Sequence, residues 1–492
     1  MQAFILSTGF GCVVPFLTPS CSIGPTLEQD VATQKAETPA AARRRIWTLA
    51  WPIILSNITV PLLGLVDTAV VGHLPDSRYL ASVTLGATLF SFLYWGFGFL
   101  RMGTTGLTSQ AVGRESDSEV RNLLGQALLM AMGIGALLIL FSSPLITLGL
   151  WLLDGSEVAT RLAAEYAQIR ILSAPAVLAN YAILGWFLGQ QNSRVTLAIL
   201  VLTNSVNIAL DLLFVVGLGM TSDGVAWATV IADYTALAFG TWLVARQLKL
   251  LQGRFLRERL FRLSAYGELF QVNANLFLRT LGLLFAMAFF TSRGAAQGDT
   301  ILAANAVLMQ FIMLTSYALD GFAHAAEATT GRAVGRQRWE EFGSAVRAAA
   351  WFSLTTATFA ALAFALVGHA LIALLTGLPE VRETAGDYLP WMVAMPLIAV
   401  WSYLLDGVFI GATAIREMRN SIFVALAAYL PIWWLTRALA APGYENHALW
   451  LAFLSFTVVR SLVLISYYWH HRRSHWRHRD YDVASQPFRT SR

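Results

Sequence analysis

The sequence predicts an all-α integral membrane protein with twelve transmembrane helices, arranged as two six-helix lobes that repeat in parallel. Of the 492 residues, 56% are hydrophobic and only 13% are charged, which is far too apolar for a soluble protein of this length. Apolar segments long enough to cross a bilayer also follow one another from Ile46 to Tyr468. An internal repeat then divides these segments into two sets of six.

The individual helices are predicted from segment length, because a bilayer core of roughly 30 Å needs about 20 mostly apolar residues. The predicted spans are 46–72, 80–110, 122–152, 162–189, 194–218, 224–246, 268–292, 300–331, 343–375, 385–412, 419–438 and 447–468.

The repeat is visible after the second and eighth spans. "SQAVGRESDSEVRNLLGQAL" resembles "GRAVGRQRWEEFGSAVRAAA" at an offset of 222 residues, and the same offset places "GWFLG" (185–189) on "GVFIG" (407–411). Each unit has an even number of helices, so both copies start on the same side of the membrane and the repeat is parallel. The paired glycines indicate close helix packing, and we assign them no chemistry.

The chain is therefore predicted to have five parts. Residues 1–45 form a disordered cytoplasmic extension, 46–246 the first lobe, 247–267 a basic linker, 268–468 the second lobe and 469–492 a basic cytoplasmic tail. Cys12 and Cys21 both fall in the extension, so no disulfide framework is expected in the helical body.

Basic residues mark the orientation of the chain. They collect in every second connection and in the tail, whereas the opposite connections are short and mostly acidic or neutral. The positive-inside rule then places both termini in the cytoplasm of a multi-pass protein of a bacterial cytoplasmic membrane. The net charge of +5 reflects this topology and contact with anionic lipid, and we expect no nucleic-acid partner.

Seven ionisable residues fall within the spans, where charge is costly. They are Asp67, Arg101, Asp211, Arg279, Asp320, Glu327 and Asp406. By position along their helices, Asp67 and Asp211 lie in the outer half of the first lobe, and we find no basic residue at matching depth in helices one to six.

Polar residues accompany these two acids. Asn204 and Asn207 share the helix face of Asp211, and Thr229 lies at comparable depth in the next helix. A buried carboxylate that lacks a cation commonly binds a proton. We predict a proton- or cation-binding transport site from Asp67 and these four residues; the alternative is a structural ion pair.

The second lobe carries a different set. It is predicted to be an intramembrane charge network of Arg101, Arg279, Asp320, His324, Glu327 and Asp406. Asp320, His324 and Glu327 share one face of helix eight, which would also suit a metal, but no fourth ligand is evident and we expect no metal site. We expect Arg101 or Arg279 to pair with one of the three carboxylates.

Several of these stretches together resemble the multidrug and toxic compound extrusion (MATE) family. They are "WPIILSNITVPLLGLVDTAVVGHL", "AVGR", "NSVNIALDLLFVVGLGMTSDGVAWAT" and "GVFIGA", while "LAANAVLMQFIMLTSYALDGFAHAAEATTGRAVG" resembles its DNA-damage-inducible F (DinF) branch. The resemblance covers roughly residues 46 to 470. It implies twelve helices in two lobes, cation-driven export of drugs or metabolites, and a first-lobe proton site on Asp67, Asn207, Asp211 and Thr229.

We therefore expect an antiporter that exports drugs or toxic metabolites in exchange for protons. We expect no enzymatic activity and no cofactor, because the chain has no phosphate-binding loop, cysteine and histidine cluster or nucleophile elbow. The expected partners are small-molecule substrates and the lipid bilayer, and the expected state is a monomer.

Other functions remain open at this point. Sodium is the alternative coupling ion, although the sodium-using branch resembled by other family members has an aspartate about two turns before the glycine pair of helix ten, where this chain has Ala399. Arg101 and Arg279 suggest an organic-anion exporter, and a flippase for a lipid-linked glycan would need a cationic cavity. A receptor or scaffold is disfavoured because the chain has no sizeable soluble domain.

Overall fold

A computed structural model describes residues 37–72, 77–153 and 156–474 of the chain. The predicted extension up to residue 36 with its two cysteines, the tail beyond residue 474 and the side chain of Asp67 lie outside this description. The α-helices of the described residues are α1 (Pro39–Gly72), α2 (Ser77–Gly96), α3 (Phe99–Gly113), α4 (Asp117–Leu140), α5 (Ser142–Leu153), α6 (Glu157–Arg170), α7 (Ala174–Gly189), α8 (Ser193–Asp211), α9 (Ser222–Leu250), α10 (Arg257–Phe261), α11 (Gly267–Ala295), α12 (Asp299–Gly335), α13 (Trp339–Leu375), α14 (Pro379–Gly411), α15 (Ile415–Leu439) and α16 (Glu445–Ser474).

The predicted all-α membrane fold is confirmed. Within the described residues, eleven helical segments are long and apolar enough to cross a bilayer. The remaining predicted span lies in α1, which is 34 residues long. We refer to α1–α9 as the first half and to α11–α16 as the second half; their description as two lobes stays a prediction.

Several spans of the first half are interrupted, whereas their equivalents in the second half are continuous. The second span is divided at Phe97 and Gly98, the third at Phe141, and the fourth by a 3-10 turn over Ile171–Ser173. Pro144 contributes to the second of these breaks, because a proline in the first turn of α5 cannot donate the backbone hydrogen bond that would continue α4. The α12, α13 and α14 helices have no such break.

The helix ends nevertheless repeat at the predicted offset. The α4 helix begins at Asp117 and α13 begins at Trp339, while α7 ends at Gly189 and α14 ends at Gly411. Each pair is separated by the 222 residues expected from the sequence repeat. The two halves therefore place equivalent residues at equivalent points of their helices.

Close helix contacts repeat in the same way. A Cβ atom at Gly185 of α7 would collide with the Arg101 carbonyl oxygen of α3, and a Cβ atom at Gly407 of α14 would collide with the Ala323 carbonyl oxygen of α12. Arg101 and Ala323 are themselves repeat equivalents. The assignment of the glycine pairs to packing is confirmed, and this packing fixes the backbones of α3 and α12 beside the charged residues described below.

The two halves also contact each other near the inner ends of these helices. Gln110 Nε2 in α3 donates to the Gly411 carbonyl at 2.9 Å. Arg332 Nη1 in α12 donates to Gln191 Oε1 at 3.0 Å, and Gln191 Nε2 donates to the Ala328 carbonyl at 3.3 Å. These hydrogen bonds join the halves beneath the polar residues of both.

Candidate functional site

Three of the predicted first-half residues meet between α8 and α9. Asp211 is fully buried, Asn207 is 1% exposed, and the Asn207 amide lies between the Asp211 carboxylate and the Thr229 hydroxyl. The amide contacts Asp211 Oδ2 at 3.1 Å and Thr229 Oγ1 at 3.2 Å. Asn207 and Asp211 are four residues apart, so one helix face presents both side chains to α9.

Asn204 makes a different contact. Its Nδ2 donates to Thr59 Oγ1 of α1 at 2.8 Å, which ties α8 to the helix that carries Asp67. Thr59 was not predicted, although its place two turns before Asp67 on the same helix was available from the sequence. The structure therefore places Asn204 beside α1, whereas Asn207 and Thr229 lie with Asp211.

The helix changes its winding directly after Asp211. The regular α8 helix ends there, and residues Leu212–Gly217 form a π-helix. A π-helical turn has wider hydrogen-bond spacing and is frequent at functional sites. This change in winding, which was not predicted, places Asp211 at the junction between two helical geometries.

A cavity of about 210 Å³ lies in the second half. Its walls come from α11, α12, α14 and α16, with Trp95 and Met102 added from the first half. Much of the lining is methionine and aromatic, including Met287, Met309 and Phe453. Charged side chains at the inner end complete it: Arg279, Asp320, Glu327, Asp406 and Arg460.

Two arginines bind one carboxylate in this cavity. The guanidinium groups of Arg279 and Arg460 both donate to Asp406 Oδ2, and all three side chains are 9 or 10% exposed. The Arg279–Asp406 contact matches the predicted pairing of an arginine with a carboxylate. Arg460 was missed, although it interrupts the apolar run "FTVVRSLVL" in the twelfth span.

A second cluster lies where α3 meets α12. Arg101 Nη2 contacts His324 Nε2 at 2.9 Å, and Arg101 Nη1 lies 3.9 Å from Glu327 Oε2. An arginine N–H can only donate, so His324 Nε2 accepts and the ring is neutral in this arrangement. Glu327 is fully buried and its oxygen atoms accept no hydrogen bond from the described residues, because the nearby Thr105 hydroxyl donates to the Arg101 carbonyl at 2.8 Å.

Asp320 differs from the other two acids of the network. It lines the cavity, and within the described part of the chain its carboxylate makes no hydrogen bond or ion pair. The charges that act on it are Arg101, Asp406, Arg279 and Arg460. The predicted network is thus a set of separate contacts around a cavity, with Asp320 facing the open space.

Comparison with known proteins identifies the family. The MatE family model matches residues 52–213 and 264–435, one segment in each half. DNA damage-inducible protein F of Escherichia coli K12 is 44% identical over 444 residues, which cover 90% of this chain and 94% of that protein. The chain belongs to the MATE family. A probable multidrug resistance protein NorM of Acinetobacter baylyi is 25% identical over 408 residues, covering 78% of this chain and 86% of that protein.

Solved MATE structures share the twelve-helix fold. A Vibrio cholerae MATE transporter, VcmN, matches with a TM-score of 0.80 at 20% identity, covering 89% of this chain and 99% of that one. An outward-facing multidrug resistance MATE family transporter matches with a TM-score of 0.79 at 19% identity, covering 89% and 96%. The resemblance drawn from the sequence is confirmed, and as a MATE protein the chain is a membrane transporter of small molecules and not an enzyme.

The prediction of seven intramembrane charges was too low for this MATE protein. Besides Arg460, the structure buries Arg170 and Asp233 between the fourth and sixth spans, with Arg170 Nη1 donating to Asp233 Oδ2 at 2.8 Å. A basic residue therefore does lie deep in helices one to six, contrary to the prediction. Arg170 stacks on Tyr94 and Phe90, which explains how the first half accommodates it.

The residues suited to a metal were also compared in space. Within the residues that the structure describes, no group of three histidine, cysteine, aspartate or glutamate side chains is placed to hold a metal ion. The His324 nitrogen that would face a metal accepts from Arg101 instead. The second-half residues are consequently best considered as charged contacts around a substrate cavity.

Proposed function

We propose that this MATE protein is a secondary active antiporter that exports drugs or toxic metabolites from a bacterial cell in exchange for protons. It acts as a monomer in the cytoplasmic membrane with both termini inside. The observation that carries the proposal is the Asn207 amide, because it can complete two hydrogen-bond arrangements that differ by one proton on Asp211.

The first arrangement belongs to an ionised Asp211. The Asn207 amide nitrogen donates to Asp211 Oδ2 over 3.1 Å, and its oxygen accepts from Thr229 Oγ1 over 3.2 Å. The carboxylate then receives a donor, which lowers the free energy of burying its charge.

The second arrangement belongs to a protonated Asp211. Its O–H donates to the Asn207 amide oxygen, the amide nitrogen donates to Thr229 Oγ1 over 3.2 Å, and Thr229 Oγ1 donates to the Val225 carbonyl over 2.9 Å. All of these atoms keep their positions, and only the amide and the hydroxyl rotate. One proton can therefore be taken up or released without leaving a polar group of this cluster unsatisfied.

The same contacts favour a proton over sodium. A sodium ion needs several oxygen ligands around one point, but the Asn207 oxygen is used in both arrangements and the Thr229 hydroxyl is shared with Val225. The π-helix after Asp211 supplies a segment whose winding differs from that of α8. Proton uptake at this junction is the proposed event that changes the packing of α8 against α1.

Relatives support the substrate class. The Acinetobacter baylyi relative is described as a probable multidrug resistance protein, and a structural neighbour as a multidrug resistance transporter. The apolar wall of the second-half cavity suits the hydrophobic body of such compounds. Substrate and proton thus occupy different halves of the protein.

The test is export from proteoliposomes with an imposed pH gradient and no sodium on either side. A panel of fluorescent lipophilic compounds should be transported by the parent protein, and transport should collapse with a proton ionophore. Asp211→Asn should abolish proton-driven transport, because asparagine fills nearly the same volume but cannot release a proton. Asp299→Asn, which makes the same substitution at an exposed site at the start of α12, is the matched control.

Two results would overturn the proposal. One is undiminished proton-driven export by Asp211→Asn at equal protein density. The other is transport that requires a sodium gradient at constant pH.

A further inference from the structure

We propose that the second-half cavity binds amphipathic organic anions, with a single carboxylate or sulfonate held by Arg279 and Arg460. This inference names the substrate class of the transporter proposed above and rests on that function. It concerns binding, so it can be tested in the absence of any ion gradient.

The charge of the arginine cluster is the first reason. Arg279 and Arg460 share one acceptor oxygen of Asp406, which leaves a net charge of +1 in a site that is about nine-tenths buried. An unbalanced buried charge is unfavourable unless another group compensates it. An anionic ligand in the adjoining cavity would provide that compensation.

Unused hydrogen-bond donors are the second reason. The Nε atoms of Arg279 and Arg460 are buried and have no acceptor among the described residues, and Asp406 contacts both guanidiniums through one oxygen only. Each guanidinium has five N–H groups in a planar fork that matches the two oxygen atoms of a carboxylate or sulfonate. Both arginines line the cavity, so a ligand there can reach donors that the protein does not use.

The acids of the cavity do not favour a cationic ligand equally well. Asp406 is enclosed by two arginines, and Glu327 lies 3.9 Å from Arg101. Only Asp320 faces the cavity without an ion pair in the described part of the chain, and three arginines act on it. The inner end of the cavity is therefore dominated by positive charge, with Asp320 as the one opposing group.

The opposite wall determines the rest of the ligand. Trp95, Met287, Met313, Phe453 and Phe456 present apolar surface to the same space. Methionine adapts to ligands of different shape, and aromatic rings bury large flat bodies. A compound with one anionic group and an aromatic or alicyclic body fits both ends.

The experiment compares three probes of one shape on the full chain in detergent. Equilibrium dialysis measures binding of naphthalene-2-sulfonate, of its neutral sulfonamide and of naphthalene-2-methylammonium. The sulfonate should bind at least tenfold more tightly than the sulfonamide, because charge-assisted hydrogen bonds are worth about twice a neutral one. Equal binding of all three probes would show a purely apolar pocket, and tighter binding of the ammonium probe would show a cation site; either result overturns the inference.

Substitutions then give opposite signs for the two charge classes. Asp320→Asn removes the opposing carboxylate, so it should raise sulfonate affinity severalfold, whereas a cation site would lose affinity. Arg460→Gln should weaken sulfonate binding at least tenfold. Arg161→Gln, which removes one positive charge from an exposed position of α6, should change nothing.

The outcome separates this inference from the proposed antiport. Sulfonate binding without proton-driven transport would refute the antiporter and leave the anion site standing. Proton-driven export of the ammonium probe together with absent sulfonate binding would do the reverse. Asp320→Asn and the three-probe comparison decide the case even if Arg460→Gln does not fold.

Discussion

The Arg279, Asp406 and Arg460 cluster predicts an unusual order of stabilities. Asp406→Asn keeps the shape of the side chain but leaves two buried guanidiniums beside each other, with a local charge of +2 in place of +1. Removing one partner of a buried ion pair typically costs about 3–5 kcal/mol. Here one substitution breaks two ion pairs between side chains that are 9 or 10% exposed, so we expect a loss of about 5 kcal/mol.

Arg460→Gln should behave very differently. It leaves the Arg279–Asp406 pair in place and brings the local charge to zero, so the lost hydrogen bond, worth about 1.5–3 kcal/mol, is largely offset by removal of the surplus charge. The double variant has a local charge of +1 with no carboxylate. It should therefore be more stable than Asp406→Asn alone, even though it carries one substitution more.

The assay is thermal unfolding of the purified proteins in detergent, with the fraction that stays monodisperse measured by size-exclusion chromatography after heating. The expected order of midpoints is parent and Arg460→Gln together, then the double variant, then Asp406→Asn. A double variant less stable than Asp406→Asn would refute the charge-balance reasoning, and so would an Asp406→Asn protein that unfolds with the parent.

Two further predictions concern packing and the first half. Gly407→Ala should sharply reduce the yield of folded protein, since its new methyl group would collide with the backbone of α12, whereas Gly133→Ala, with open space around its Cβ position, should fold as the parent does in the same chromatographic assay. Arg170→Gln should lower the thermal midpoint because it leaves Asp233 as a buried unpaired charge, and adding Asp233→Asn should restore most of the loss; no restoration would contradict a structural role for this pair.

Much of the fold was accessible from the sequence because long apolar segments and repeats are local or periodic signals. The offset of 222 residues located equivalent helix ends, as the starts of α4 and α13 show. The break at Gly98 was less accessible, since its equivalent Asp320 lies within the continuous helix α12 and a glycine in a helix does not by itself predict an interruption.

The candidate sites were predictable to different degrees for a physical reason. Asn207 and Asp211 are four residues apart on one helix, so helical geometry alone places them together. The choice of partner for Asp406 depends on the rotation of α11 and α16 about their axes, which packing sets and the sequence does not state. Arg279 was therefore considered for any of three carboxylates, and Arg460 was overlooked until the helices were placed around one cavity.

Placing the proton site and the anion site in different halves has an energetic consequence for export. A cationic substrate can be displaced by protons at one shared carboxylate, but an anion and a proton do not compete for the same group, so their coupling must pass through the helix packing between the halves. The electrical term then helps the transporter. When one proton enters and one anion leaves, two charges move in the same sense, and at about 2.3 kcal/mol per charge for each 100 mV the membrane potential contributes roughly 4.6 kcal/mol per 100 mV. Exchange of one monovalent cation for one proton moves no net charge and gains nothing from the potential. An anion-binding cavity beside a separate proton site is therefore a favourable arrangement for driving export out of an energised cell.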